Sequence, residues 1–347
     1  MNKGKALTVF LPTLNSQLYL VEALESIRLQ TFEDFEVHIV DGGSIDLTAE
    51  ICLSYCRKDS RFSFCVREGT TPIERFNEVL ADCKTEFLAI AHSDDIQHPT
   101  RFDHQINYMH ACNEIILSGT DTIYWLHDFL SNWVQPFAGI AHYPRSHEEI
   151  TVQLPFWWCF ANPTLVFKTQ HFIMNKLFMD SSYKYSSDYL FYWRTAQSGK
   201  VGNLDEALVA YRMHSQSEGP MNRKDLEIEG NEIRHIILEE SGLAAFLGPE
   251  LSRDILDLKI ERNIVTRCPA NYKIYEHLFE RMKKFPPLNI ASTEGVIRLM
   301  LDNYLEQIGK IKESEDNSEA SSKHDTGNWA SKLKGKIGLH GFFKNSV

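Results

Sequence analysis

The feature that most constrains this chain is an alternation along its first third. Short, β-prone apolar runs are separated by longer stretches whose apolar residues recur at helical spacing. Ala6 to Leu11 reads as a strand that stops at Pro12, and Leu20, Val21, Leu24 and Ile27 then mark one face of a helix. Phe35 to Val40 returns to a strand, a second helix starts near Asp46, and Phe62 to Val66 is a third strand. Ile73 to Leu80 is a helix, and Phe87 to Ala91 a fourth strand. Parallel strands need a long crossover, usually a helix, so a strand and helix alternation predicts an α/β fold: a mainly parallel, Rossmann-like central sheet flanked by helices. At 347 residues the chain can bury one large core or two modest ones without staples.

In such sheets ligands bind beyond the carboxyl ends of the parallel strands, where loops and helix N-termini converge. Two of the expected strand ends carry acids: Asp41, before Gly42-Gly43-Ser44, and Asp94-Asp95, after His92-Ser93. Parallel strands would bring all three carboxylates to one edge. Gathered carboxylates repel a bare phosphate but suit ribose hydroxyls, a base N–H or a divalent cation. The plainer readings are a turn and helix cap for Asp41, and a cap for the helix near Arg101 for Ser93-Asp94-Asp95. Arg67 and Arg75 could reach donor phosphates or be solvated.

A formal charge of −11 argues against nucleic acid as a partner, because phosphate backbones are bound by clustered Lys and Arg. Seven cysteines, with no secretory signal ahead of Ala6, point to free thiols in a reducing, cytoplasmic setting. Cys52 and Cys56 lie one helical turn apart, but no second pair stands nearby to complete a zinc site. No run reaches the roughly 18 to 20 apolar residues that span a bilayer, so any membrane contact is expected to be peripheral.

Further along, Tyr124 to Pro163 is aromatic and irregular and includes Trp125, Trp133 and Pro155-Phe156-Trp157-Trp158; it reads as the acceptor side of a cleft, with Trp157 and Trp158 as acceptor candidates. Ser186 to Arg194 and a strand over Ala207 to Tyr211 close a first domain, residues 1–220, whose halves divide near residue 115. Helices are predicted over Leu226–Leu238, Leu251–Val265, Tyr272–Lys284 and Glu294–Ile311, separated by Gly-Pro, Cys-Pro and Pro-Pro, giving a helical domain over 221–312. Residues 313–347 read as a polar linker and a basic amphipathic tail. From Lys323 on, five lysines face one aspartate, with Trp329 and Phe342-Phe343 among them. Such a tail suits an anionic membrane surface, or else a disordered solubilising end.

Three segments in order carry a resemblance. Leu7 to Thr48 (LTVFLPTLNSQLYLVEALESIRLQTFEDFEVHIVDGGSIDLT), AIAHSDD at 89–95, and SSDYLFYWRTAQSGKVGNLDEALVAYRMHSQS at 186–217 resemble the inverting family 2 glycosyltransferases of the GT-A fold. The resemblance implies transfer of a sugar from a nucleotide-sugar donor, UDP by default, to a glycan or lipid-linked acceptor in surface polysaccharide or lipopolysaccharide synthesis. It implies that Pro12, Thr13 and Asn15 contact the nucleotide and that Asp41 accepts from the base. Asp94 falls near the ribose and Asp95 on a metal, Mn²⁺ or Mg²⁺. Asp188 matches the general base, His214 closes over the diphosphate or its metal, and Arg212 could supply charge to the leaving group; Arg75 joins the donor set. The chain departs from the pattern at Gly42, His92 and Ser187, where relatives usually carry acids. Those departures motivate a second expectation, a catalytically impaired GT-A-like nucleotide-binding or scaffold protein. A nucleotidyltransferase is disfavoured, because no Gly-rich loop with a following Lys succeeds the first strand.

Overall fold

The computed structural model describes residues 5–126, 137–155, 158–214, 217, 222–242 and 244. The chain divides into two compact units, Met1–Ile150 with Trp157–Glu229, and Thr151–Phe156 with Gly230–Val347. All residues of the site described below belong to the first unit. The expected helices from Leu251 to Ile311, the linker, the basic tail, Trp133 and Trp157 lie outside the described residues. Among the described residues no helix is long and apolar enough to cross a membrane.

The strands are β1 (Leu7–Thr13), β2 (Phe35–Asp41), β3 (Phe62–Val66), β4 (Phe87–Ile90), β5 (Ile96–Gln97), β6 (Ile115–Leu126), β7 (Phe137–Ala141), β8 (Val166–Lys168) and β9 (Lys200–Met213). They form one sheet in the order β3-β2-β1-β4-β8-β6-β9-β5, with β7 beside β6. β1 to β4 pair in parallel, as the alternation predicts. Beyond β4 the sheet is mixed: β8 runs antiparallel between β4 and β6, while β6 and β9 run parallel to one another. β6 therefore points the same way as β1 to β4, and the carboxyl ends of β1, β2, β4, β6 and β9 share one edge.

Helices cover both faces. α1 (Leu20–Arg28), α2 (Thr48–Lys58) and α4 (Arg101–Ala111) lie on one side; α3 (Pro72–Asp82), α6 (Thr169–Met174) and α7 (Ser187–Ser198) lie on the other, and α5 (His147–Gln153) and α8 (Arg223–Glu240) complete the described helices. The two-residue period of β1 distributes its side chains accordingly. Leu7, Val9 and Leu11 join Leu20, Leu24, Ile27, Phe102 and Ile106 in one core. Phe10 faces the other way, onto Phe76 of α3, which also meets Phe167 and Phe191. α3 brackets the helix expected over Ile73–Leu80 and starts at Pro72, with a capping box between Thr71 and Glu74 and proline in the first turn.

One feature of α7 was not legible in sequence. Glu229 of α8 accepts the consecutive backbone N–H groups of Lys184 (3.0 Å), Tyr185 (2.8 Å) and Ser186 (2.8 Å). These three donors lead into the N-cap of α7, and a carboxylate at a helix N-terminus is also favoured by the helix dipole. The start of α7, and so Asp188, is fixed by a residue that lies some forty positions later in the chain.

Candidate active site

Thr13 and Asp41, paired across β1 and β2, open the shared edge. Asp41 is buried and accepts four hydrogen bonds: Thr13 Oγ1 (2.9 Å) and Ser44 Oγ (2.5 Å) on Oδ1, and the Gly43 (3.0 Å) and Ser44 (2.8 Å) N–H groups on Oδ2. The turn reading of Asp41 thus describes its present contacts, and Gly43 supplies the positive φ of 98° that the turn requires. The loop after β1 is laced to it. Asn15 N–H donates to Ser44 Oγ (2.8 Å) and its Oδ1 accepts from Ile45 N–H (3.0 Å), with Asn15 itself at a left-handed φ of 49°. Pro12 is half-buried at the last pair but one of the β1–β2 ladder.

Gly42 stands where an acid was expected by resemblance, and the structure fills that place. A Cβ on residue 42 would fall 2.4 Å from Nη1 of buried Arg75, which donates to Thr70 O (2.7 Å). Ser187 likewise is buried and donates to Asp180 O (2.8 Å). Gly42 and Ser187 are thus both packed into the fold.

After β4 the chain carries His92, Asp94 and Asp95, whose ligand atoms all lie within 4.8 Å of one another. Asp95 is 1% exposed. Its Oδ1 accepts Arg212 N–H (2.8 Å), while Oδ2 has no hydrogen-bond partner and faces His92 Nδ1 at 3.5 Å. Burial and then the charge of Asp94 push the Asp95 carboxyl well above the usual range, against Arg212 and Arg101. Arg101 is buried beside it, donating to Gln105 (2.9 Å), Ile90 O (3.0 Å) and Leu165 O (3.2 Å); burial lowers it to about 9, which leaves it charged at neutral pH. Asp94 is pushed up by partial burial, but the His214 hydrogen bond (Nε2 to Oδ2, 3.0 Å) and the nearby imidazoles outweigh this and hold it low. A buried carboxylate oxygen with no donor, flanked by a second acid and an imidazole, fits a divalent cation. A second cluster among the described residues, Asp121, His142 and Asp205, does not: Arg145 donates to both oxygens of buried Asp121 (2.6 and 2.7 Å) and pairs with Asp205.

Arg212 and His214 reach this edge from the end of β9. The Arg212 guanidinium is already engaged, with Glu22 of α1, with Asp94 O (2.8 Å) and over the Tyr19 ring (4.5 Å). It orders the Asp94–Asp95 loop. His214 packs on the same Tyr19 ring (4.7 Å), so Tyr19 and Glu22, which the sequence reading passed over as helix residues, organise the end of β9.

Asp188 lies in the first turn of α7, partly buried, and its carboxyl is raised by burial against the hydrogen bonds it receives from Tyr192, Trp158, Tyr189 N–H and Asn162. It points inward and does not cap the helix: Tyr192 Oη donates to its Oδ2 (3.1 Å). Trp158, expected on the acceptor side, stacks on Tyr189 (4.6 Å) and braces Asp188. Asn162 bridges the two parts of the site, lying against Tyr192 Oη (3.3 Å) and His92 Nε2 (3.1 Å). Nothing in its local sequence, Ala161-Asn162-Pro163, announces that role.

Known proteins resemble this chain in sequence and in fold. A family model described as Glycosyl transferase family 2 matches residues 8–157. The chain is 30% identical over 203 residues to the O-antigen biosynthesis glycosyltransferase WbnJ of Escherichia coli, covering 57% of this chain and 76% of that protein. It is 25% identical over 239 residues to an uncharacterized glycosyltransferase of Haemophilus influenzae, covering 65% and 72%. Among solved structures, Staphylococcus aureus TarS 1–349 in complex with UDP superposes with a TM-score of 0.52 at 17% identity, over 93% of this chain and 94% of that one, a likeness of fold. A GT-A architecture of that kind, and a relative matched over most of its length, bring the argument to one assignment: this chain belongs to glycosyltransferase family 2.

Proposed function

We propose that the enzyme transfers a sugar from a UDP-sugar to a hydroxyl of a glycan or lipid-linked acceptor in surface polysaccharide or lipopolysaccharide assembly, with inversion, by a single displacement. The observation that carries this reading is one pairing: Asp188, a carboxyl raised by burial, stands at one end of a chain of side chains whose other end is the unpartnered Oδ2 of Asp95. Support for the donor comes from the fold likeness to TarS, solved in complex with UDP and, in a further structure, with UDP-GlcNAc; support for the setting comes from the name of the O-antigen relative.

In this reading the acceptor hydroxyl loses its proton to Asp188 as its oxygen bonds to the anomeric carbon. The bond from that carbon to the diphosphate breaks on the opposite face, and its electron pair leaves on the diphosphate oxygen. Raising the base towards the working pH strengthens it as a proton acceptor, and such a group contributes about 10²- to 10⁴-fold in rate. Mn²⁺ or Mg²⁺ held by Asp95, with Asp94 and His92 beside it, would neutralise the charge that gathers on the leaving diphosphate. Thr13, Asn15 and Pro12 line the nucleotide end. Arg75 contributes positive charge behind Gly42, and Arg212 acts through Asp94.

A panel of UDP-, GDP- and dTDP-sugars, assayed for donor hydrolysis and transfer with and without Mn²⁺, tests the reading. Metal-dependent turnover of a UDP-sugar is the expected result, and failure to bind or turn over any of them removes it. Peripheral attachment of the cytoplasmic enzyme through residues 329–343 is tested by liposome co-sedimentation against a chain ending at Ile311. Equal pelleting rules the attachment out.

A further inference from the structure

The hydrogen bonds between Asp188 and Asp95 have a direction, and the direction has a consequence for His92. A carboxylate only accepts, so Tyr192 donates its hydroxyl hydrogen to Asp188 Oδ2 (3.1 Å). The Tyr192 oxygen is then open to a donor, and Asn162 Nδ2 supplies it at 3.3 Å. That orientation turns the other end of the amide, Oδ1, to His92 Nε2 at 3.1 Å. An amide oxygen cannot donate, so the hydrogen between them sits on Nε2. In neutral imidazole the remaining nitrogen, Nδ1, is then a lone pair. It faces the buried Oδ2 of Asp95, also a lone pair with no donor, at 3.5 Å. Two acceptors held face to face repel each other unless a proton or a metal cation lies between them, and a site that holds such a pair is built to take up one or the other.

Asn162 is itself rigidly placed. It opens the 3₁₀ turn Asn162–Thr164, with Pro163 next and Thr164 O and Leu165 O held by Gln105 (2.8 Å) and Arg101 (3.2 Å). Thr164 Oγ1 accepts from Thr120 N–H (3.2 Å) and donates to Ala161 O (2.8 Å). The amide can do its two tasks only in one orientation, and the turn leaves its backbone little freedom to offer another.

We propose that Asn162 is a positioning residue that serves both halves of the reaction: through Oδ1 it fixes His92 with Nδ1 as a metal-facing nitrogen, and through Nδ2, which donates to Tyr192 and to Asp188 itself, it holds the carboxylate of Asp188 on the acceptor side. The inference rests on the transferase reading and adds to it a nitrogen ligand, His92, that substitutes for an acid. Imidazole suits transition ions over Mg²⁺, so the site should favour Mn²⁺. Partners that orient a ligating histidine typically account for 10- to 100-fold in metal affinity.

The two tasks separate by substitution. Asn162→Ala removes both. Asn162→Asp retains an oxygen acceptor for His92 Nε2–H but removes the donor to Tyr192. Mn²⁺ affinity is measured by electron paramagnetic resonance on the full chain with UDP present, and kcat and KM by transfer from whichever UDP-sugar the donor panel shows to be turned over, with circular dichroism to verify folding. Asn162→Ala and His92→Ala should each weaken Mn²⁺ by about tenfold. Asn162→Asp should hold Mn²⁺ within about threefold of wild type while kcat falls by about tenfold or more with little change in donor KM. A merely structural residue would not split the two readouts. Folded Asn162→Ala that binds Mn²⁺ as wild type does, or Asn162→Asp that loses Mn²⁺ as fully as Asn162→Ala, overturns the inference. Wild-type transfer that persists in chelator without Mn²⁺ binding overturns it too, yet leaves the transferase reading standing. Absence of both transfer and UDP binding in the wild type removes that reading first.

Discussion

Asp41 and Asp95 are both aspartates on the same edge of the same sheet, the first closing β2 and the second in the loop after β4, and both are buried. Asp41 accepts four hydrogen bonds, which use all the acceptor positions a carboxylate has. Asp95 accepts one, and its second oxygen has no hydrogen-bond partner. A buried polar atom without a partner costs on the order of 1–3 kcal/mol, so the fold retains in Asp95 a strain that it has removed from Asp41. The β1–β2 half of the edge is finished as it stands, with its acid shaping a loop for a ligand to lie on. The β4–β9 half is built around an interaction still to be made. Strained, unsatisfied groups concentrate at functional sites, which is the physical reason for proposing the chemistry on the second half.

The largest effect is expected across the cleft from Asp95. Asp188→Asn should lower kcat by about 10²- to 10⁴-fold while UDP affinity, by isothermal titration, stays within about threefold. Near wild-type turnover would show that the raised carboxyl on α7 has no part in the reaction. Next comes Asp95→Asn. Transfer should fall by at least about 10²-fold, yet the protein without metal should resist urea as well as wild type or better, by up to about 1–3 kcal/mol, because the amide replaces the unpaired oxygen with a donor to His92 Nδ1. Marked destabilisation would mean that Asp95 is a structural acid like Asp41, and the contrast would collapse.

Why one half of this contrast was legible in sequence and the other was not follows from what sets each group. The strand and helix alternation reports periodicity, which is local. It therefore located β1 to β4 and their acids, down to the bounds of Phe62–Val66. It did not report that β8 enters the sheet antiparallel, because the three residues Val166–Lys168 carry no pattern and are placed by β4 and β6 on either side. Asp188 was found by resemblance, but its partners were not: Asn162, Tyr192 and Glu229 come from three separate elements and meet only after packing. Arg75 and Gly42 illustrate the same limit. The missing acid was visible, and the guanidinium that occupies its place was not.

A third prediction inverts the second. Asp41→Asn should destabilise by about 1–3 kcal/mol in urea, since the new amide must aim two hydrogens at Thr13 and Ser44 hydroxyls or at the Gly43 and Ser44 N–H groups. Its effect on kcat should be smaller than that of Asp95→Asn. If Asp41→Asn is neutral in stability but destroys transfer, Asp41 contributes chemistry and not only shape.

The smallest effect is expected from a carboxylate that is satisfied but only half-buried, and it calibrates the others. Glu25 of α1 accepts from Arg28, Tyr55 (2.9 Å) and Lys58 (3.3 Å). The Arg28 hydrogen bond, helped by Tyr55 and Lys58 and opposed by slight burial, brings its carboxyl from 4.5 down to about 2. A carboxyl depressed in the folded state contributes stability that is present in full above its unfolded value and is lost as pH falls through the folded one. Glu25→Gln should therefore cost less than about 1 kcal/mol at pH 7, discounted for solvent screening, with the gap closing between about pH 4.5 and pH 2. Glu25 has as full a set of donors as Asp41, and the two differ mainly in exposure. A cost for Glu25→Gln equal to that for Asp41→Asn would mean that the number of partners, and not burial, sets what a carboxylate contributes here, and the unpaired oxygen of Asp95 would lose its claim to be costly.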